Sequence, residues 1–208
     1  MDALSTRIHS LPASATLAMA AKARELKNKG IDIIGLSLGE PDFNTPKHIR
    51  DAAKKALDEG YTKYTAGPGM LELREAICEK LDRENGLSCK PKNILVSNGE
   101  KQSLYNACQA IFNPNESVIV FSPYWVSFPE FVKMAEAKPV FVDTIPDKNF
   151  EPDFDDLKLK INSSIKGVII NSPSNPPVGV WSYEAIKKTL EISHKNDLWI
   201  FSDECYEQ

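Results

Sequence analysis

Asp203 and Tyr206, in the run WIFSDECYEQ, place a carboxylate and a phenol three residues apart directly after an apolar stretch. Trp199, Ile200 and Phe201 read as a strand that seeks burial. A carboxylate at its end is costly unless a cation stands beside it. Two partners meet that demand: an Arg or Lys side chain, or a protonated ring nitrogen on a bound molecule. Earlier in the chain, Ser97-Asn98-Gly99 turns into a helix near Glu100 and Lys101. Free N–H groups at a helix start attract anions, Gly99 permits close backbone approach, and Lys101 adds positive charge. The same strand–glycine–helix turn also occurs without any ligand, and neither G-x-G-x-x-G nor G-x-x-x-x-G-K-[ST] is present. Trp125, in PYW, can stack on a flat ring or cap a core. Asn175, in SPSNPP, has an amide able to donate to a ligand oxygen, though Asn before proline is also an ordinary turn residue.

These residues share one position: each follows a short apolar run. The runs NILVS, SVIVFS, KPVFVDT, GVIINSP and LWIFSDE read as strands. Between them, KQSLYNACQAIF, WVSFPEFVKMAEA, DFDDLKLKI and SYEAIKKTLEISHKN read as helices. Such alternation predicts an α/β fold, a mostly parallel sheet with helices on both faces. Ligands of such sheets bind beyond the carboxyl ends of the strands. Upstream, the sequence predicts a helix through AKARELKNKG that stops at Gly30, then a short strand in IDIIG. Thr45 is expected to cap a helix beginning at Pro46, and LELREAICEKLDREN reads as a further helix.

Composition narrows the function classes. Lys and Arg number 25 against 29 Asp and Glu, spread along the chain, which argues against nucleic acid as the main partner. Cys78, Cys89, Cys108 and Cys205 are scattered without a C-x-x-C pair, and the three histidines are dispersed. Neither a metal site nor a disulfide framework is expected, and the cysteines are expected reduced, cytoplasmic and mostly packed in a core. No run reaches the ~18 apolar residues of a membrane span.

The ordered segments SLGEPDFNTP, YTKYTAGPGMLELREAI, SNGEKQSL, SPYWVSFPE, NSPSNPP and SDECYE resemble the class I aminotransferases of pyridoxal-phosphate fold type I. The resemblance spans nearly the whole chain and is nearest to the bacterial aspartate and prephenate aminotransferase group. It implies pyridoxal 5'-phosphate as cofactor. It further implies that Asp203 pairs with the pyridine nitrogen and favours its protonated form, and that Tyr206 and Asn175 hydrogen-bond the ring's phenolic oxygen. Trp125 matches the aromatic stacked on the ring, and Gly99, Glu100 and Lys101 match the phosphate-binding turn. Gly39, Thr16, Trp125, Asn175 and Lys101 match positions that contact substrate. Tyr64 matches a tyrosine that reaches the cofactor phosphate of the neighbouring subunit, which implies a homodimer with shared sites. Residues 1–45 correspond to the N-terminal segment of the small domain and the substrate loop, and 46–208 to the first part of the large cofactor-binding domain.

Three departures stand out. Many members have Gly where this chain has Glu100. The usual N-P-T-G is Asn175-Pro176-Pro177-Val178 here. Members active on prephenate often carry Lys-Pro where this chain has Leu11-Pro12-Ala13. Lys101 matches a residue linked to acidic substrates, so aspartate or another acidic amino acid is the expected donor and a 2-oxo acid such as 2-oxoglutarate the acceptor. Two other readings stay open: another fold-type-I activity such as a carbon–sulfur lyase, and a non-catalytic truncated chain. The lysine that anchors the cofactor in this family falls beyond Gln208, so the chain alone is expected not to be a competent enzyme.

Overall fold

The computed structural model describes residues 4–36, 39 and 41–207. Its elements run, in chain order, α1 (Thr6–His9), α2 (Ala15–Asn28), α3 (Lys47–Asp58), α4 (Leu71–Asn85), the 3-10 turn η1 (Pro91–Asn93), α5 (Glu100–Ile111), β1 (Ser117–Ser122), α6 (Phe128–Met134), β2 (Lys138–Ile145), the 3-10 turn η2 (Pro146–Lys148), β3 (Glu151–Pro152), α7 (Phe154–Lys160), β4 (Ile165–Asn171), α8 (Tyr183–Lys195) and β5 (Trp199–Asp203). They divide into two compact units. One holds the residues up to Leu11 and from Val96 onward; the other holds Pro12–Leu95. Among the described residues no helix is long and apolar enough to cross a membrane.

The first unit is built on a five-stranded sheet in the order β3-β2-β1-β4-β5. β1 pairs in parallel with β2 and β4, and β4 with β5; the two-residue β3 runs antiparallel to β2. Successive side chains on a strand point to opposite faces. Val118 and Val120 of β1 and Ile169 of β4 therefore join Leu104, Cys108, Phe128 and Val132 in one core, under α5 and α6. Ile119 and Phe121 of β1 and Val168 and Ile170 of β4 join Leu157, Trp181 and Ala185 in the other, under α7 and α8. Each fully buried side chain of the size of Phe128 or Ile119 contributes roughly 1.5–3 kcal/mol.

Caps set where several helices begin. The Asp153 carboxylate accepts from the Asp155 and Asp156 N–H groups (3.0 and 3.1 Å), and the Ser182 hydroxyl accepts from Ala185 N–H (3.2 Å). In the second unit, Ser14 caps α2, and Lys29 ends it just before Gly30, which has φ 78°. Thr45 does not cap α3. Pro46, with ψ 142°, is itself the N-cap and has no side chain that can accept a bond, so the helix begins one residue later, at Lys47.

Two runs read as strands carry no ladder. Residues 31–35 and 94–97 form no strand among the described residues, since an extended segment becomes a strand only when a neighbour accepts its hydrogen bonds. Trp199 and Ile200 also remain 60% and 40% exposed. Only Phe201 and Asp203 of β5 are buried, because β5 has a described partner, β4, on one side alone.

Gly167 and Phe112 meet closely on the α5 side of the sheet. A Cβ on Gly167 would lie 2.6 Å from Cζ of Phe112, the C-cap residue of α5, whose ring stacks on Phe201 at 5.4 Å. After β4, Ser174 ties the turn 174–179: its N–H donates to Gly179 O (3.0 Å), and its carbonyl accepts from Val178 N–H (2.9 Å). Val178 is held at φ 59° and is 76% exposed. A β-branched residue in that region is strained, and exposure gives no packing in return. Val178→Gly should therefore stabilise the protein by about 0.5–1.5 kcal/mol, the relieved strain exceeding the added chain entropy. A urea-unfolding midpoint that stays put or falls would show that the turn carries no strain.

Candidate functional site

The sheet delivers its polar residues to one edge. In the β4–β5 register Asn171 lies opposite Asp203, each the last residue of its strand. The Asn171 side chain knits the edge together. Its amide Nδ2 lies 3.3 Å from both Pro173 O and Asp203 O, and its Oδ1 accepts from Asn175 N–H at 2.8 Å. Asn175 then turns its own amide to the hydroxyl of Tyr206 (3.2 Å). Asn175 and Tyr206, 31 residues apart in sequence, so share one polar spot.

Asp203 is buried (6% exposed), and its Oδ1 accepts from Cys205 N–H at 3.2 Å. Among the described residues no Arg, Lys or His forms an ion pair with it. Its side-chain hydrogen-bond partner is another acid, Glu100. Glu100, Trp125, Asn171, Asn175, Asp203, Cys205 and Tyr206 line one open cleft of about 370 Å³. Glu100 as a residue is solvent-exposed at the start of α5, but its carboxyl reaches into this cleft. Partial burial, then the hydrogen bond and the charge of Asp203, push that carboxyl from its ordinary 4.5 up to about 7; a bond with Cys205 opposes the rise.

Trp125 serves two neighbours at once. Its ring meets Phe128 and Phe131 edge-on at 5.4 and 6.0 Å, which fixes it on the core, and Lys101 Nζ lies 5.1 Å from its centroid. Gly99 adopts φ 80° at the N-cap of α5, a conformation suited to glycine, with nothing within 4 Å of where a Cβ would stand. The N–H groups of Glu100 and Lys101 come too early in α5 to have a helical acceptor, as at any helix start, whereas Gln102 N–H donates to Gly99 O (3.2 Å).

Of the residues singled out in the sequence, Glu100, Trp125, Asn175, Asp203 and Tyr206 line the cleft, with Gly99 and Lys101 beside Glu100 at the start of α5. Thr16, Gly39 and Tyr64 belong to the other compact unit. Thr16 is half-buried in the first turn of α2, Gly39 is exposed, and Tyr64 is fully exposed on a shallow cleft with Tyr61, Lys63 and Met70. Asn171 does not stand out in the sequence. Its signal is an amide at the last position of a buried strand, hidden by the richer SPSNPP that follows. Among the described residues no group of three or more His, Cys, Asp or Glu could hold a metal ion.

The profile of the family described as aminotransferase class I and II matches residues 31–208. A probable aspartate/prephenate aminotransferase of Thermus aquaticus is 44% identical over 207 residues, which are 100% of this chain and 54% of that protein. The aspartate aminotransferase of Bacillus subtilis is 44% identical over 99% of this chain and 52% of its own length. Among solved structures, the aspartate aminotransferase of Thermus thermophilus with maleate superposes with a TM-score of 0.94 at 44% identity, covering 98% of this chain and 53% of that one. An alanine aminotransferase of Pyrococcus furiosus gives a TM-score of 0.92 at 32% identity, with 98% and 52% covered. The chain thus spans about half the length of the curated relatives it matches.

The raised Glu100 carboxyl has a consequence with a definite sign. Between pH 4.5 and about 7 the folded state keeps a proton that the unfolded chain has released. That contribution to stability is complete below pH 4.5 and is lost as pH rises through about 7. Glu100→Gln should flatten the dependence of the urea midpoint on pH across this window. An unchanged slope would mean that Glu100 titrates elsewhere.

Proposed function

The chain belongs to the class I and II aminotransferase family, and from that premise we propose that the protein moves an amino group between an acidic amino acid, aspartate foremost, and a 2-oxo acid such as 2-oxoglutarate. The observation that carries this reading is Asp203, a buried carboxylate without a cation among the described residues. A protonated ring nitrogen supplies the missing charge at far lower cost than leaving the carboxylate alone.

The donor set fits pyridoxal 5'-phosphate. Asp203 would hold the proton on the pyridine nitrogen, and Tyr206 with Asn175 would donate to the phenolic oxygen. Trp125, already fixed on the core, would cover the ring face. The turn at Gly99, the first N–H groups of α5 and Lys101 would take the phosphate. Glu100 is the member of the set with the wrong charge for a phosphate; the proton it retains up to about pH 7 makes it neutral below that point. When bound, the cofactor supplies an electron sink for the charge that develops at the substrate Cα. The protein's own part is to keep the ring nitrogen charged, orient the ring between Trp125 and the Asn175–Tyr206 pair, and offer Lys101 to an acidic side chain. Maleate, carried by the Thermus thermophilus relative, is a small dicarboxylate and supports an acidic substrate here. We assign Thr16 and Gly39 to substrate contact, residues 1–45 to the small domain and substrate loop, and 46–208 to the large domain. This assignment concerns domains of the family, whereas the compact units divide at Pro12 and Val96. Tyr64, fully exposed here, would reach the cofactor phosphate of a second subunit, so the active form is a homodimer.

The reading is tested on the natural protein with pyridoxal phosphate, aspartate and 2-oxoglutarate, following glutamate. Asp203→Asn should leave thermal unfolding nearly unchanged and cost at least ~3 kcal/mol of transition-state stabilisation, about 150-fold in kcat. Near-normal turnover in this variant would remove the basis of the assignment.

Tyr64→Phe should weaken cofactor binding by one charge-assisted hydrogen bond, ~1.5–3 kcal/mol. Mixed dimers of Tyr64→Phe and Asp203→Asn chains carry both lesions in one site and none in the other. Activity should return on mixing; its failure to do so would refute the shared site.

A further inference from the structure

Two thiols outside the cleft have no role in that reading. Cys78 lies on α4, and Cys89 in the segment between that helix and η1. α4 ends at Gly86, in the left-handed conformation with φ 66°. The N–H groups of Gly86 and Leu87 then reach back to the carbonyls of Asp82 and Leu81 (3.2 and 3.0 Å), so the chain reverses along the helix. The reversal lays Cys89 on Cys78. Their sulfurs are 3.2 Å apart, closer than the ~3.5–4.0 Å at which even non-bonded carbons rest. The junction is held independently of the thiols. Arg74, on the same helix, donates to Gly69 O (3.1 Å) and Pro91 O (3.0 Å). Both thiols are half-buried, so a small reagent can reach them, whereas Cys108 is sealed in the core and Cys205 stands apart at the cleft.

We propose that Cys78 and Cys89 are a covalent modification site, a dithiol that closes reversibly to a disulfide at the α4–η1 junction with a low-molecular-weight disulfide as co-reactant. One protein thiolate attacks a sulfur of the reagent and expels a small thiolate, leaving a mixed disulfide. The second protein thiolate attacks the protein sulfur of that bond and expels the other half. Two protein thiols and one RSSR give one protein disulfide and two RSH, with two electrons passing from protein to reagent. Partial burial, then the neighbouring Cys89 sulfur, push the Cys78 thiol up; Glu75 adds to the rise and Arg74 opposes it. Exchange is therefore slow at neutral pH and quickens as pH rises. The closed ring of about a dozen residues fixes the end of α4 to the segment that follows it.

The test is to treat the folded protein with oxidised glutathione, quench in acid, alkylate remaining thiols and map peptides without reduction. The expected product is one linked pair, Cys78 with Cys89, and no glutathione on either. Cys78→Ser and Cys89→Ser should each instead trap a stable glutathione adduct on the remaining partner. The oxidised wild type should melt roughly 5–10 °C above its reduced form, and neither variant should show that gain. If both residues are alkylated, or each carries its own adduct in the wild type, the pair is not a dithiol site. Equal melting points for linked and reduced protein would overturn the bracing of the junction.

Discussion

The register between β4 and β5 places Asn171 opposite Asp203, and the site follows from that single pairing. From Gly167 to Ile170 β4 is buried on both faces, so the end of the strand is where a polar side chain meets solvent without breaking the core. Shifting the pairing by one residue would turn Asp203 to the opposite face of the sheet. In the observed register the Asn171 amide bonds the β5 backbone and positions Asn175, which in turn holds the Tyr206 hydroxyl. The polar chain across the cleft is thus an extension of the sheet's own hydrogen bonding.

Electrostatics inside the cleft is arranged around an unmet demand. Asp203 and Glu100 are like charges in a partly desolvated space, and one proton between them is the least costly way for both to remain. A cationic ring nitrogen would satisfy Asp203 directly and release Glu100 from it. Glu100, one of the three departures, is in this way coupled to Asp203. Lys101, over the Trp125 ring at 5.1 Å, is the near cation of the turn, but it faces the indole rather than the carboxylates.

How far the sequence foretells this molecule depends on the kind of feature. The strands read well where they are covered on both faces: VIVF of β1 and VII of β4 are unbroken apolar runs because α5 and α6 lie on one side and α7 and α8 on the other, whereas the two-residue β3 gives no such signal. NILVS and IDIIG look no different as strings, yet form no ladder, since pairing is a property of neighbours and not of composition. Within the site, Asp203, Asn175, Tyr206 and Trp125 are legible as polar or aromatic residues at strand ends. The direction of the Glu100 carboxyl is not, because it depends on a rotamer set by Asp203 and Cys205, a hundred residues away. The approach of Cys89 to Cys78 is equally hidden: an eleven-residue spacing means nothing until Gly86 turns the chain back.

Gly167 has a reach that its size does not suggest. Its lack of a side chain admits the Phe112 ring against β4, and that ring rests on Phe201, two residues before Asp203. Phe112 closes one end of α5, and Gly99 opens the other. A helix of 12 residues is a rigid lever of about 18 Å. A tilt of a few degrees about the Phe112 fulcrum would displace the glycine turn by about an ångström, as much as separates a working constellation from a merely assembled one. The alignment of the first turn of α5 with the acidic end of β5 is therefore gauged at a point remote from both, by the absence of one methyl group.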